Sequence, residues 1–420
     1  MASQTIDSSS STTCPTSGRG EQQMTQTIGI GVIGMGWMGQ VHARAYRQVP
    51  DRFPKSGLKP RLVVCADDIP ARAEDSRSRM RFDRCTTDWR EVLCDPDVQV
   101  ISVTTPNDLH LEIVQAAAKA GKHVFCEKPV GRSPQETALI AQAAREAKIL
   151  SWVGFNYRWA PLVQFSRKLI ADGTLGRLTH YRGRFFADYG SNTNGALSWR
   201  FRRDLAGSGT LGDLMSHVVD SALMLAGPIR RVVGNQRTFI TERPLPAVGQ
   251  GTHFSTGSDG PKGPVTNEDY VGALVEFSDG VVGTFEVCRV AKGHGCEMAW
   301  EVDGTLGSLK WNYERMNELT IHLPDGHLAH DGHAIIQAGP QHPYFAAFYP
   351  GPANSMSYED LKVIEAYEFL KSVAAGQQGQ PGFPEVLSVA EVLAAIERSW
   401  SNHQWESVQL MTLPDRAAPH

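Results

Sequence analysis

GIGVIGMGWMGQVHARAY, residues 29–46, is the stretch on which the fold turns. A run of glycine and branched apolar residues leads into Gly34, Gly36 and Gly39, a GxGxxG spacing, and then into a helical pattern. A bare GxGxxG is common among glycine-rich turns, but this one follows an apolar strand and opens a helix. Glycine suits such a turn because the backbone must bend sharply, approach a pyrophosphate closely and let the helix pack on the strand. The amides at the helix start then aim at the phosphates, so Trp37 and Met38 are expected to donate there. The stretch therefore predicts a dinucleotide site at the head of a Rossmann domain.

Outward from it, short β-branched runs alternate with longer amphipathic ones, the pattern of βα units in a parallel sheet. Strands are predicted over 28–33, 62–66, 100–104, 123–126 and 150–154, with helices in LEIVQAAAKAG (111–121) and PQETALIAQAAREAK (134–148). Gly121 suits a helix C-cap and Pro134 a first turn. The second strand ends at Asp67, where an acidic side chain accepts from the adenosine ribose hydroxyls and its charge repels a 2'-phosphate, favouring NAD over NADP. The insertion PDRFPKSGLKP (50–60) accounts for its long separation from the glycines. A capping role for Asp67, with Asp68 or Arg72 setting specificity, stays open.

After Asn156 the strands lengthen and alternate with period two, as in VGALVEF, VVGTFEV and MAWEVDG, which reads as an open, largely antiparallel sheet in an α+β domain. The Gly- and Pro-rich stretch 244–264 reads as a long loop. Helices are expected around 358–375 and 388–401. The predicted organisation is a disordered tail over 1–25, poor in large apolar residues, a doubly wound Rossmann domain over 26–155, and a substrate-binding and oligomerisation domain over 156–420.

Forty-one Lys and Arg against 45 Asp and Glu leave a formal charge of -4, with no basic field for nucleic acid or anionic lipid. The basic run RSRMRFDR (77–84) reads as a solvated helical face. Seven scattered cysteines form no CxxC pair, which fits a reducing cytoplasm without zinc. No apolar run is long enough to span a membrane, and the polar start lacks a signal-peptide core.

Four motifs in order, GMGWMGQVH, TTPNDLH (104–110), CEKPV (126–130) and GSGTLGDLMSHVVD (207–220), make the chain resemble the glucose-fructose oxidoreductase and inositol dehydrogenase (Gfo/Idh/MocA) family from about Thr27 to the last helix. The resemblance implies that Thr105, Pro106, Asn107, His110, Glu127 and Lys128 meet the cofactor beside Gly34, Gly36, Trp37, Met38, Gly39 and Asp67. It also implies a cis bond between Lys128 and Pro129. Lys128, Asp213 and His217 would form the catalytic constellation, with Asp213 and His217 four apart on one helical face. Within the family, FNYRWAP, SWRFRRDLAGSG, GPKGPVTNEDYV, NYERMNEL and GPQHPY are most like dehydrogenases that oxidise anhydrosugars and glycosides at C3. Trp159 stands where a second arginine is more usual.

These readings converge on NAD-dependent, reversible oxidation of a secondary hydroxyl, at C3, of a sugar, anhydrosugar or glycoside. His217 is the preferred general base because imidazole titrates near neutrality, and Lys128 would stabilise alkoxide charge. Their division of labour stays open, and no metal is required. A polyhydroxylated substrate needs several polar partners and an aromatic surface, for which Tyr157, Arg158, Trp199, Arg200, His342 and Tyr344 are candidates beside the constellation. The alternatives are an inositol or polyol dehydrogenase, a redox-neutral enzyme recycling tightly bound NAD on a glycoside, and a non-catalytic NAD or sugar sensor. The open sheet predicts a homodimer or homotetramer.

Overall fold

The glycine-rich stretch folds as its pattern predicts, and a six-stranded parallel sheet forms around it. The structure is a computed structural model that describes residues 25–246, 260–324 and 331–409, so most of the predicted tail lies outside the described residues. The first sheet comprises β1 (Gln26–Ile33), β2 (Leu58–Ala66), β3 (Arg84–Thr86), β4 (Val100–Val103), β5 (His123–Cys126) and β6 (Ser151–Val153). Their order is β3-β2-β1-β4-β5-β6, with parallel pairing throughout. Helices cover both faces of such a sheet, which explains why all four residues of β4 are apolar or small and buried. The order reverses between β1 and β4, and ligands bind beyond the carboxyl ends of strands at such a reversal.

The basic run at 77–84 does not form one solvated helical face. The helix Pro70–Met80 stops there, Arg81 takes a left-handed conformation at φ 63°, Phe82 is buried, and Arg84 begins β3. A three-residue polar strand has no periodicity of its own; pairing with β2 creates it.

The second sheet is built from β7 (Leu178–Phe186), β8 (Ile229–Arg237), β11 (Tyr270–Phe277), β12 (Val282–Cys288), β13 (Glu297–Gly304), β14 (Ser308–Asn312), β15 (Glu318–His322), β16 (Ala334–Gln337) and β17 (Glu406–Ser407), while β9 (Glu242–Pro244) and β10 (Lys262–Pro264) pair separately. Its order is β16-β15-β14-β13-β7-β12-β11-β8-β17, antiparallel except between β7 and β12. Period-two alternation turns Val271, Ala273, Val275 and Phe277 inward and leaves Leu274 exposed. The stretch read as one long loop at 244–264 thus has paired ends, and residues 247–259 lie outside the described residues.

The helix Tyr358–Ala375 has the predicted bounds, and Phe383–Asn402 starts five residues before the expected 388. Proline is tolerated in its first turn, where the missing N–H has no helical partner. Tyr358–Ala375 returns from the second sheet to pack on the helix Trp37–Arg52. No helix among the described residues is long and apolar enough to cross a membrane.

Candidate active site

The glycine-rich turn has the form a diphosphate needs. Gly34 adopts φ 91°, and a Cβ on Gly39 would lie 2.1 Å from the Gly34 carbonyl, so only glycine permits this approach. No side chain caps the following helix, and a Cβ on Gly36 would meet nothing within 4 Å, leaving the outer surface of the turn open. The buried Thr105 Oγ1 also has no hydrogen-bond partner among the described residues. These features fit a bound dinucleotide at the uncapped start of the helix.

Asp67 lies at the end of β2 with its carboxylate already engaged. Its Oδ2 accepts from the Met35 amide at 2.8 Å, its Oδ1 accepts from the Ile69 amide at 3.0 Å, and Arg72 approaches to 3.3 Å. Asp67 thereby ties the glycine turn to the second strand, while Asp68 beside it is exposed. Other residues of the cofactor set also act locally. His110 bridges the Pro129 and Thr105 carbonyls, at 3.1 and 3.0 Å, and Asn107 donates to the Ala206 carbonyl at 3.0 Å. His110 thereby pins the turn after Lys128, which follows β5 and whose bond to Pro129 is cis, as the resemblance implies.

Lys128 meets the second domain here. Its Nζ donates to the Asp213 carboxylate at 2.9 Å and to the Asp213 carbonyl at 2.8 Å. Asp213 sits on a π-helical turn, Leu211–Met215, that runs into the α-helix Ser216–Ala226 bearing His217. The sequence spacing anticipates a shared face but not the π turn, a form frequent at functional sites. Asp213 Oδ2 accepts from the Tyr189 hydroxyl at 2.7 Å, and Arg200 lies 3.4 Å from Oδ1. Burial works to raise the Asp213 carboxyl, but Lys128 and Arg200 outweigh it and hold it well below the usual carboxylate range.

His217 is buried edge-on against Tyr157, with ring centroids 4.7 Å apart, and also packs near Phe155 and Phe185. Burial first, and the Lys128 charge second, push its imidazole well below the ordinary histidine value. This corrects the near-neutral titration expected from an unperturbed imidazole. His217 is a neutral acceptor across the physiological range, and its protonation moves to acid pH.

The substrate candidates divide by position. Tyr157 packs on His217, and its hydroxyl lies 3.2 Å from Cys296 Sγ. Arg200 reaches Asp213 at 3.4 Å, and its guanidinium lies 4.4 Å over the ring of Trp199. Arg158 is buried in a pair with Asp220, a structural position. His342 accepts from the Gly339 amide at 2.9 Å, and the Tyr344 hydroxyl donates to Glu368 at 3.2 Å. None of these last three contacts reaches Lys128, Asp213 or His217. Tyr189 escaped the sequence reading because FADYG carries no spacing signal and its bond to Asp213 forms only when the loop after β7 folds over the π turn. Among the described residues no group of His, Cys, Asp and Glu is arranged to hold a metal; His253, His327 and His330 lie outside them.

A dinucleotide turn, a Rossmann sheet and a lysine facing a carboxylate and a neutral imidazole define an NAD-dependent dehydrogenase. Residues 28–155 match an oxidoreductase family with an NAD-binding Rossmann fold, and residues 163–310 match the GFO/IDH/MocA C-terminal domain. The chain belongs to the Gfo/Idh/MocA family. It is 38% identical to levoglucosan dehydrogenase of Pseudarthrobacter phenanthrenivorans over 91% of this chain and 98% of that protein. The structure of a levoglucosan dehydrogenase in complex with NADH superposes with a TM-score of 0.87 at 37% identity, covering 92% of this chain and all of the other. That of a levoglucosan dehydrogenase with NADH and levoglucosan gives 0.86 at 37% identity, covering 91% and 100%.

Proposed function

We propose that this dehydrogenase oxidises a secondary hydroxyl, at C3, of an anhydrosugar or glycoside, with Lys128, Asp213 and His217 as its catalytic residues. The observation that carries the reading is Lys128 Nζ held at 2.9 Å on Asp213 beyond the end of β5, beside a neutral His217. The likeness to levoglucosan dehydrogenase along nearly the whole chain supports the substrate class.

The glycine turn at Gly34, Gly36 and Gly39 would hold NAD, which would supply a hydride acceptor for the carbinol carbon. His217, uncharged and poorly solvated, accepts the hydroxyl proton, a role for which a base must be unprotonated. The Lys128 ammonium hydrogen-bonds the same oxygen and stabilises the negative charge that develops on it. Asp213 aims Lys128 through one carboxylate oxygen while Tyr189 fixes the other. Tyr157, Trp199 and Arg200 border the space for the sugar, an aromatic and cationic lining suited to C–H faces and hydroxyl groups. Asp67 recognises NAD through the ribose as well as holding the glycine turn.

The test is a panel of anhydrosugars, glycosides, free sugars and inositols with NAD, read by NADH absorbance, with NMR of the product to locate the carbonyl. Turnover of an anhydrosugar or glycoside to the 3-keto product is expected. A preference for inositols, oxidation at another carbon, or retained NAD with no net NADH would refute it.

A further inference from the structure

Beneath the Lys128 turn lies a chain of buried polar groups that the proton transfer does not use. The Tyr46 hydroxyl is 2.8 Å from Ser102 Oγ, which is 3.3 Å from His42 Nδ1; His42 Nε2 meets Glu127 Oε1 at 2.8 Å. The same oxygen accepts from Lys362 Nζ at 2.6 Å, and Lys362 lies 2.9 Å from Glu365 Oε2. All six residues are buried. Buried ions are expensive unless paired, and apolar replacements are often as stable, so stability alone does not account for such a cluster.

Its position supplies a reason. Glu127 precedes Lys128 directly, and Glu127 Oε2 accepts from the Lys128 amide at 3.3 Å. Gly154 leaves room for this carboxylate, since a Cβ there would lie 2.6 Å from both oxygens. Lys362 arrives on the helix Tyr358–Ala375, after the whole second sheet. Tyr358 of that helix stacks on Trp37 with centroids 5.3 Å apart, and Glu359 clamps Arg44 at 2.9 and 2.6 Å. One helix therefore touches both the glycine turn and the turn carrying Lys128.

We propose that Lys362 is a positioning residue of the dehydrogenase reaction: by fixing Glu127 it holds the main chain of Lys128 in alignment with Asp213 and with the glycine-rich turn. The inference rests on Lys128 being catalytic. Burial works against the Lys362 ammonium, but the Glu127 charge foremost, joined by Glu365 once that group ionises, outweighs it and holds it charged above the ordinary lysine range. Burial pushes Glu365 up to about 8, so near neutrality one ammonium faces one carboxylate and one neutral carboxyl, with His42, Tyr46 and Tyr358 around them. His217 feels the charges of Lys128, Asp213, Glu127 and Lys362, and Lys362 is among those that lower it.

The experiment compares Lys362→Met and Lys362→Arg with the parent in the full-length protein, using NAD and the best substrate from the panel. For Lys362→Met, kcat should fall about tenfold or more, the scale on which outer partners of a reacting group act, while the Kd for NAD stays within about twofold. Its acid limb in the kcat–pH profile should move to higher pH, and Lys362→Arg should regain most of the activity. A kcat for Lys362→Met within about twofold of the parent, an unmoved acid limb, or an Arg variant no better than Met would overturn the proposal. Should Lys362→Met fail to fold, lysine 15N NMR of the parent decides: the Lys362 ammonium should remain charged through about pH 10, and titration below that overturns it. Lys128→Met separates the two levels, because full activity there would refute the catalytic reading itself.

Discussion

Replacing Lys128 by Met tests the site most directly. The bond between Lys128 Nζ and Asp213 Oδ1 at 2.9 Å gauges what an anionic oxygen gains at this ammonium. Two unit charges at that distance attract by about 6 kcal/mol at an effective dielectric of about 20. After desolvation, a charged hydrogen bond contributes about 2–3 kcal/mol net. Losing that interaction with the developing alkoxide lowers kcat about a hundredfold. Folding should survive, because Asp213 keeps its bond from Tyr189 and its pairing with Arg200.

The pH profile supplies the sharper outcome. A general base must be unprotonated, so activity is present above the His217 pKa and is lost as pH falls through it. In the parent this acid limb lies well below the ordinary histidine value. Lys128 lowers His217 and Asp213 raises it, so Lys128→Met should move the limb to higher pH and Asp213→Asn should move it lower. Steady-state kinetics across the acid range on the best substrate would show both. Limbs that move in the same direction, or a Lys128→Met enzyme keeping more than about a tenth of parental turnover, would refute the assignment.

His217→Ala should lose about two orders of magnitude in turnover and abolish that limb with little change in NAD affinity by titration calorimetry; a persisting limb would assign the base elsewhere. Asp67→Ala should narrow the preference for NAD over NADP and also weaken NAD binding, because Asp67 holds the Met35 amide; equal affinities in the parent would sink the assignment. Glu365→Gln should gain stability relative to the parent between pH 5 and pH 8 in urea denaturation. Over that interval the unfolded carboxyl has released its proton and the native one, pushed up to about 8, retains it, so parental stability falls by at most about 1.4 kcal/mol per pH unit; a constant difference would contradict this. The exposed face of the second sheet, with Leu274 and Val282 outward, should make the protein a homodimer or homotetramer by light scattering, and a monomer at all working concentrations would exclude that.

The sequence by itself determined the Rossmann half because its signals are local. Only glycine tolerates φ 91° at Gly34 or the 2.1 Å approach at Gly39, and strands buried on both faces must be apolar throughout. Period-two runs likewise announced β11, β12 and β13. Lys128, Asp213 and His217 were nameable through the motifs that make the chain resemble its family; spacing alone placed only Asp213 and His217 on one helical face. Tertiary structure alone decided the rest. The polar β3 exists only through its pairing with β2. Tyr189 reaches Asp213, and Lys362 reaches Glu127, across 24 and 235 positions of chain, contacts that leave no periodicity in sequence. Arg158 was chemically suited to a sugar, yet the packed interior committed it to Asp220. The electrostatic character of His217 was also beyond the sequence, since a side chain's proton affinity depends on which charges surround it and how much water is excluded, and both are properties of the assembled fold.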